Sequence, residues 1–393
     1  MTTDTKTGQV FFISDVEREG RESNLSTPSS RGANIVIYIT GGAGYVGAML
    51  AEQFSKRPDV KEIICLDKEP EPEIFLTNPK ITWISANTSD GTWQEKVAAK
   101  NPDVVVHTAW QIREMYGQKE KQWKWNVDGS QAIFNFAFSV PSVKKLVYFS
   151  TVASYGSYPD NTIDHFFTEA EPFRKTDYLY AEEKRIVEEN LKETYKTAKE
   201  KAQVGTQVFI IRPAAITGPR GRYARIRFGL QSALSGSLKG QKSFVYDMVS
   251  LMVSWVPVTA KWLRQYTHED DITDIVALFS FNNLKGDYEV FNAAPPGPAV
   301  LGPDMAKAVG KRMLPIQPWM ARLAFFWFWH ITRGRIPTSK GSWKGYSYPI
   351  AVDGSKITNQ YGFKYKYESG EAFVKTSGRY EADARQSESQ KGD

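Results

Sequence analysis

The run Tyr38-Ile39-Thr40-Gly41-Gly42-Ala43-Gly44-Tyr45-Val46-Gly47 decides the fold, because an apolar stretch from Ile35 to Ile39 stops at glycines spaced G-x-x-G-x-x-G. This reads as a strand entering a phosphate-binding turn, with Tyr45 and Val46 beside the bound dinucleotide. Gly41 permits the tight turn and Gly44 lets the backbone approach a pyrophosphate. Gly47 lets the following helix pack closely on the strand, its N-terminal N–H groups aimed at the anion. Residues Ala48 to Lys56 read as that helix, and Glu62-Ile63-Ile64-Cys65-Leu66-Asp67 as the next strand. That strand ends in an acid twenty residues after Gly47, so Asp67 is the expected ribose ligand.

At 393 residues with 41% hydrophobic content, the chain can bury a large core in one domain or two intimately joined ones. Fifty basic residues stand against 44 acidic ones, and the net charge of +6 is spread along the chain, which does not indicate a nucleic-acid partner. Cys65 is the single cysteine and lies on the second strand, where it reads as a small buried apolar residue. With four histidines and one cysteine, no metal constellation is visible. Val10-Phe11-Phe12-Ile13 is far too short for the apolar region of a signal peptide, so a cytoplasmic location is expected.

Residues 1–33 are polar and rich in Ser, Thr and Pro, and read as a disordered tail, as do residues 381–393. From Asn34 the pattern alternates strand and helix, which predicts a parallel sheet covered on both faces. Further strands are expected at Ile81 to Ser85, Val104 to Thr108, Lys145 to Ser150 and Gln207 to Ile211, making six. Long helices are expected from Lys119 to Ser139 and from Tyr180 to about Lys199. The alternation breaks over about 220–264 and 295–380, expected to form a smaller subdomain over the carboxyl ends of the strands; 266–281 and 287–293 return to the sheet. Met248 to Val258 and Pro318 to Ile331 are the most apolar stretches, the second carrying Phe325-Phe326-Trp327-Phe328-Trp329. Neither reaches the length of about 20 residues needed to span a bilayer. Both read as helices walling the pocket and its underlying core, with an interfacial membrane contact or a lipid-like substrate as the other reading.

Tyr180-Ala181-Glu182-Glu183-Lys184 places a phenol and an ammonium on one face of a helix. A tyrosine with an ordinary pKa near 10 is a poor base at neutral pH, and a neighbouring cation would lower it. Tyr180 could then deprotonate a substrate hydroxyl. Tyr178 competes for the role but has Glu182, not lysine, four residues on.

The strand end Phe149-Ser150-Thr151-Val152-Ala153-Ser154-Tyr155-Gly156 adds hydroxyls where a dinucleotide would lie. Together these residues resemble the extended short-chain dehydrogenase/reductase family, of the NAD-dependent epimerase/dehydratase type, from about Asn34 to Phe363. Its elements occur in family order: the glycine motif, Asp67, His107-Thr108-Ala109, Asn126-Val127-Asp128-Gly129, Ser150-Thr151, Tyr180 with Lys184, Arg212-Pro213-Ala214, Gly218-Pro219-Arg220, and His268-Glu269-Asp270-Asp271. The resemblance implies an α/β fold, a Rossmann-type doubly wound parallel sheet with a smaller C-terminal substrate-binding subdomain, and NAD as cofactor. It implies that Thr151 holds the reacting oxygen, Tyr180 is the acid/base, and Lys184 also bonds the nicotinamide ribose. His107, Thr108, Ala109, Asn126, Arg212 and Pro213 fall at cofactor-groove positions, although Asn126 also reads as a polar residue bonded to its own backbone. His268 reads as a structural member of its loop. Where dehydratases of this family carry an acid directly after the catalytic Ser/Thr, this chain has Val152 and Ala153, which disfavours elimination of water.

Hydride transfer at a secondary alcohol is the implied chemistry, most closely resembling nucleotide-sugar 4-epimerases. Arg220, Arg222, Arg225 and Arg227 are candidates for a substrate diphosphate, beside Ser150 and Thr151, though four arginines in eight residues also suit a solvated helix face. The alternatives are an enzyme like 3β-hydroxysteroid dehydrogenases acting on a hydrophobic alcohol, suggested by the aromatic run, and a non-catalytic NAD-binding protein on the same fold. Partners are otherwise a small-molecule substrate, weak membrane association, and a second copy, since the two long helices form the dimer bundle in many relatives.

Overall fold

In the computed structural model, residues 2–3, 10–11, 34–201, 205–220, 255–308, 311–375 and 378–380 are described. Seven apolar runs become strands: β1 (Ile35–Thr40), β2 (Val60–Asp67), β3 (Ile81–Ser85), β4 (Val104–His107), β5 (Lys145–Phe149), β6 (Gln207–Pro213) and β7 (Tyr288–Ala293). They pair in parallel in the order β3-β2-β1-β4-β5-β6-β7. The order reverses between β1 and β4, and ligands of open α/β sheets bind in the crevice at that point. Six strands were expected before Ile211, and β7 is the seventh, supplied by the expected return at 287–293.

Helices α1 (Tyr45–Ser55), α2 (Gln94–Ala98), α3 (Lys119–Trp123), α4 (Gly129–Ser139), α5 (Leu179–Glu200) and α6 (Glu269–Phe281) cover the sheet. Strand side chains alternate between its faces. Ile37 and Ile39 pack with Met49 and Phe54 of α1 and with Ile272 and Phe279 of α6. Val36 and Tyr38 face the other way, into Phe134 and Phe136 of α4 and Val187 and Leu191 of α5. The long helix expected from Lys119 to Ser139 is interrupted by one π-helical turn, Lys124–Asp128.

The residues expected to build the second subdomain divide between two cores. Val256, Val258, Trp262, Val300, Met305 and Phe373 form a separate cluster. Its strand Trp255–Thr259 pairs in parallel with Arg312–Ile316. Ile357, Phe363 and Tyr380, by contrast, join the main core beneath β1. Residues 221–254, with Met248 to Ser254 among them, lie outside the described residues, as do most of 1–33 and all of 381–393. Within the expected N-terminal tail, Thr2–Thr3 pairs antiparallel with Val10–Phe11.

The first turn carries the tightest constraint. Gly41 has a φ of +77°, and a Cβ on Gly47 would lie 2.1 Å from the Gly41 carbonyl oxygen. Alanine at position 47 gains at most about 1 kcal/mol of helix propensity, whereas overpacking costs about 1–3 kcal/mol and here strikes backbone. Gly47→Ala should therefore lower the denaturation midpoint and weaken dinucleotide binding; unchanged values in both measurements would show that α1 can move away freely.

Candidate active site

The chain after β1 turns back under the end of β2. Gly41 and Gly42 both donate to the Leu66 carbonyl, at 2.8 and 3.2 Å, and Gly44 donates to the Gly41 carbonyl at 2.9 Å. No side chain caps the N-terminus of α1, and no acid stands in its first turn, so this end suits a phosphate. Asp67 lies directly beside it, accepting from the Ala43 amide at 3.0 Å and the Glu69 amide at 3.1 Å. A single cavity of about 1120 Å³ runs from here across the carboxyl edge of the sheet. Gly41, Gly44, Tyr45, Val46, Gly47 and Asp67 line it at this end, with Thr108, Ala109 and Pro213 further in. Tyr45 has a second task, donating its hydroxyl to Glu269 at the start of α6.

Towards the middle of the cavity, Thr151 leaves β5 in extended backbone and accepts from the Ala153 amide at 3.1 Å. Tyr180 and Thr151 both line the cavity, with the Thr151 hydroxyl near enough to act on the Tyr180 phenol. Burial pushes the Tyr180 phenol above its ordinary pKa, and the nearby Thr151 hydroxyl partly opposes that. Lys184 was expected to lower it. Instead its ammonium lies beneath the cavity wall, donating to the Phe149 carbonyl and seated 3.7 Å from the centre of the Trp110 ring. Burial also pushes the Lys184 pKa well down, against the pull of Glu188 and Glu183. In this state the phenol is neutral and the lysine is held by a carbonyl and an indole.

Several expected site residues turn out to hold the frame. His107 is buried between the Thr40 hydroxyl at 2.7 Å and the Ser130 hydroxyl at 2.8 Å, and does not line the cavity. Burial, with the Lys184 charge, pushes its pKa down to about 3, so the ring is neutral at any working pH. Arg212 is likewise directed away: it pairs with Glu188 of α5 and donates to the Tyr155 hydroxyl at 2.7 Å. Ser150 is buried off the cavity. Arg220 pairs with Glu52 on α1, sits 4.8 Å from the Tyr380 ring centre and does not line the cavity. Arg222, Arg225 and Arg227 lie outside the described residues. His268 caps α6, its Nδ1 accepting from the Asp270 amide at 3.1 Å, the structural part expected of it.

Asn126 does line the cavity, and its side chain is not bonded to its own backbone. From the π-helical turn it accepts from the Gln111 amide at 2.8 Å, donates to the Gln111 carbonyl at 3.1 Å, and donates to Glu183 at 2.7 Å. It thus ties the loop after β4 to the helix that carries Tyr180. Glu183, Trp110 and three further cations on the cavity wall were not foreseen. Arg113, Arg264 and Lys344 all line it. Lys344 is paired with Asp177 at 2.7 Å, whereas Arg264 donates to the Gly345 carbonyl at 2.9 Å and has no carboxylate partner among the described residues. Arg264 stands four residues before His268, where the motif already singled out begins.

A family model described as the NAD dependent epimerase/dehydratase family matches residues 37–294. The chain belongs to that family, and its cofactor is NAD. A stretch of 77 residues is 31% identical to a putative UDP-glucose 4-epimerase of Methanocaldococcus jannaschii, covering 20% of this chain and a quarter (25%) of that relative. An uncharacterised protein, y4nG, of Sinorhizobium fredii is 22% identical over 88% of this chain and 78% of its own length. Among solved structures, the Bordetella bronchiseptica enzyme WbmG in complex with NAD aligns with a TM-score of 0.61 at 21% identity, over 88% of this chain and 94% of that one. UDP-glucose 4-epimerase of Thermotoga maritima with UDP-glucose aligns with a TM-score of 0.59 at 17% identity, over 86% and 96%. At these identities the likeness is one of fold.

Lys68, beside the ribose acid, could have favoured a 2′-phosphate. It is instead paired with Glu69 and seated 5.0 Å from the Trp125 ring centre, so two carboxylates face one occupied cation. NAD should therefore bind more tightly than NADP. Asp67→Asn should weaken NAD by about ten- to a hundredfold, the loss of charged hydrogen bonds worth about 1.5–3 kcal/mol. Titration of both cofactors checks this, and tighter NADP binding by the unmodified protein would reverse the assignment.

Proposed function

We propose that this protein transfers hydride at a secondary alcohol of a nucleotide sugar, in the manner of an epimerase. Thr151 and Tyr180, facing one cavity with the NAD turn and with Arg264, which has no carboxylate partner among the described residues, carry the reading. NAD bound on the turn supplies the hydride acceptor and, once reduced, the donor. Thr151 holds the substrate oxygen, and Tyr180 takes its proton as the carbinol becomes a ketone, or returns it in the reverse step. An epimer would result if the ketone accepted hydride on its other face before leaving the site. Lys184 and Asn126 hold α5 and the neighbouring loop in place around the pair. Val152 and Ala153 line the cavity after Thr151 and supply no acid for elimination, which speaks against a dehydratase. Arg264, with Lys344 and Arg113 in the same cavity, replaces Arg220 as the ligand for a diphosphate, since a planar guanidinium without a carboxylate partner suits that anion. A homodimer through α3, α4 and α5 and a cytoplasmic location belong to the same reading.

The second reading, a dehydrogenase of a sterol-like alcohol, is favoured by Phe325, Ile112 and Ile350 on the cavity wall. Trp327, which it would also recruit, faces outward.

Tyr180→Phe should reduce turnover about a hundredfold or more with NAD binding retained, because the phenol acts on substrate. Thr151→Ser should be nearly silent and Thr151→Ala should not; equal, severe loss in both would indicate packing. The raised Tyr180 pKa fixes the direction of the pH profile: the phenolate becomes available only as pH rises, so kcat/KM for alcohol oxidation should climb through neutrality into the alkaline range. A flat profile that Tyr180→Phe leaves unchanged would remove Tyr180 as the base.

Arg264→Met should raise the apparent constant for UDP-sugars about ten- to a hundredfold, at about 1.5–3 kcal/mol for a charged hydrogen bond, without affecting NAD. Hydroxysteroids that turn over while UDP-sugars fail to bind either protein would decide for the second reading.

A further inference from the structure

The helix α7 (Pro318–Ile331) has no polar face. Its inner side supplies Ala321 and Trp329, both buried, and Phe325 on the cavity wall. Its outer side should be polar if water covered it. Instead Trp319 is 65% exposed, Phe326 53%, Trp327 54% and Ile331 73%, with Leu323 and Met320 between them. The strand leading into it exposes Met313 and Leu314, and Tyr116, packed at a tilt against Trp329, and Ile112 continue the apolar surface to the rim of the cavity. A contiguous patch of this kind marks an interaction surface.

Charge says which kind. Between Met305 and Val352 there are eight lysines and arginines and no aspartate or glutamate. Arg322 on α7, Arg333 and Arg335 just after it, and Lys340 are exposed. Pairing this face with itself across a two-fold axis would set those cations against each other, with no carboxylate in the segment to answer them. An anionic bilayer surface answers both features: tryptophan and phenylalanine enter the headgroup boundary while arginine and lysine meet phosphate and serine headgroups. The helix, at 14 residues, is long enough to lie in that boundary and too short to cross it.

We propose that α7 and its flanking cations dock the protein on anionic membranes, with the cavity rim beside the lipid surface. The test is sedimentation of the full chain with vesicles of phosphatidylcholine alone and of phosphatidylcholine with phosphatidylserine, at low and high salt, beside its mass in solution. Binding is expected to the anionic vesicles, at least tenfold weaker on neutral ones and weakened by salt. It should fall at least tenfold in W319S/F326S/W327S and in R322E/R333E/R335E, with NAD affinity unchanged in both, which shows that the variants are folded. Absence of binding to anionic vesicles at low salt would overturn the proposal. So would a wild-type oligomer that W319S/F326S/W327S dissociates, which would make the face a contact between copies.

Discussion

The close approach of α1 to the end of β1 is the constraint on which the rest depends. Gly47 passes so near the Gly41 carbonyl that any side chain there would overlap it, and Gly41 itself turns the chain in a conformation open chiefly to glycine. This contact brings the start of α1 over the crevice between β1 and β4. Thr108 then donates to the Thr40 carbonyl at 2.6 Å and Ala109 to the Thr40 hydroxyl at 3.3 Å, fastening the two strand ends that bound the crevice. His107 completes the seam by joining Thr40 to Ser130 on α4. The cofactor groove is a consequence of packing before it is a set of ligands.

A buried ion pair sets the other wall. Arg212 at the end of β6 and Glu188, one helical turn beyond Lys184 on α5, are both almost excluded from solvent. Taking two charges from water costs several kcal/mol per ion, which only good geometry and further bonds can offset. Here the Tyr155 hydroxyl supplies the further bond. The net gain in stability is small on general grounds, but an alternative rotation of α5 would leave both charges unpaired. The pair thereby fixes which face of α5 meets the cavity, and with it the position of Tyr180.

These two constraints explain what could be read in the sequence and what could not. The strands and the glycine turn were legible because each rests on local signals: apolar runs, glycine spacing, and an acid at a strand end. Tyr180 and Thr151 were legible because spacing and position in the chain determine where they emerge. Residues whose partners are distant in sequence were not. His107 and Arg212 stand at the expected positions, yet their side chains are taken by Ser130 and Glu188, contacts that no local pattern encodes. Arg220 shows the same limit, since its partner Glu52 is 168 residues away. Arg264 was passed over because a single arginine carries no pattern, while a cluster of four drew attention to residues 220–227. The aromatic run was read as a helix with the correct bounds, but periodicity could not say which side would be covered, because all sides are apolar.

The cavity itself weighs the two substrate classes. An apolar wall is common to both, since a sugar ring and its base also present flat apolar faces, so Phe325 and Ile112 discriminate weakly. Polar groups discriminate more, because a buried donor without a partner costs about 1–3 kcal/mol and a sterol offers almost nothing to satisfy one. The Trp110 indole N–H is buried with no acceptor among the described residues, although the ring lines the cavity. Arg264 has a carbonyl but no carboxylate. A ligand bearing a diphosphate would give Arg264 the anion it lacks, whereas an apolar alcohol would bury the guanidinium without one. On that ground the polar end of the cavity argues for a nucleotide sugar, and the outer face of α7 is left free to serve another purpose.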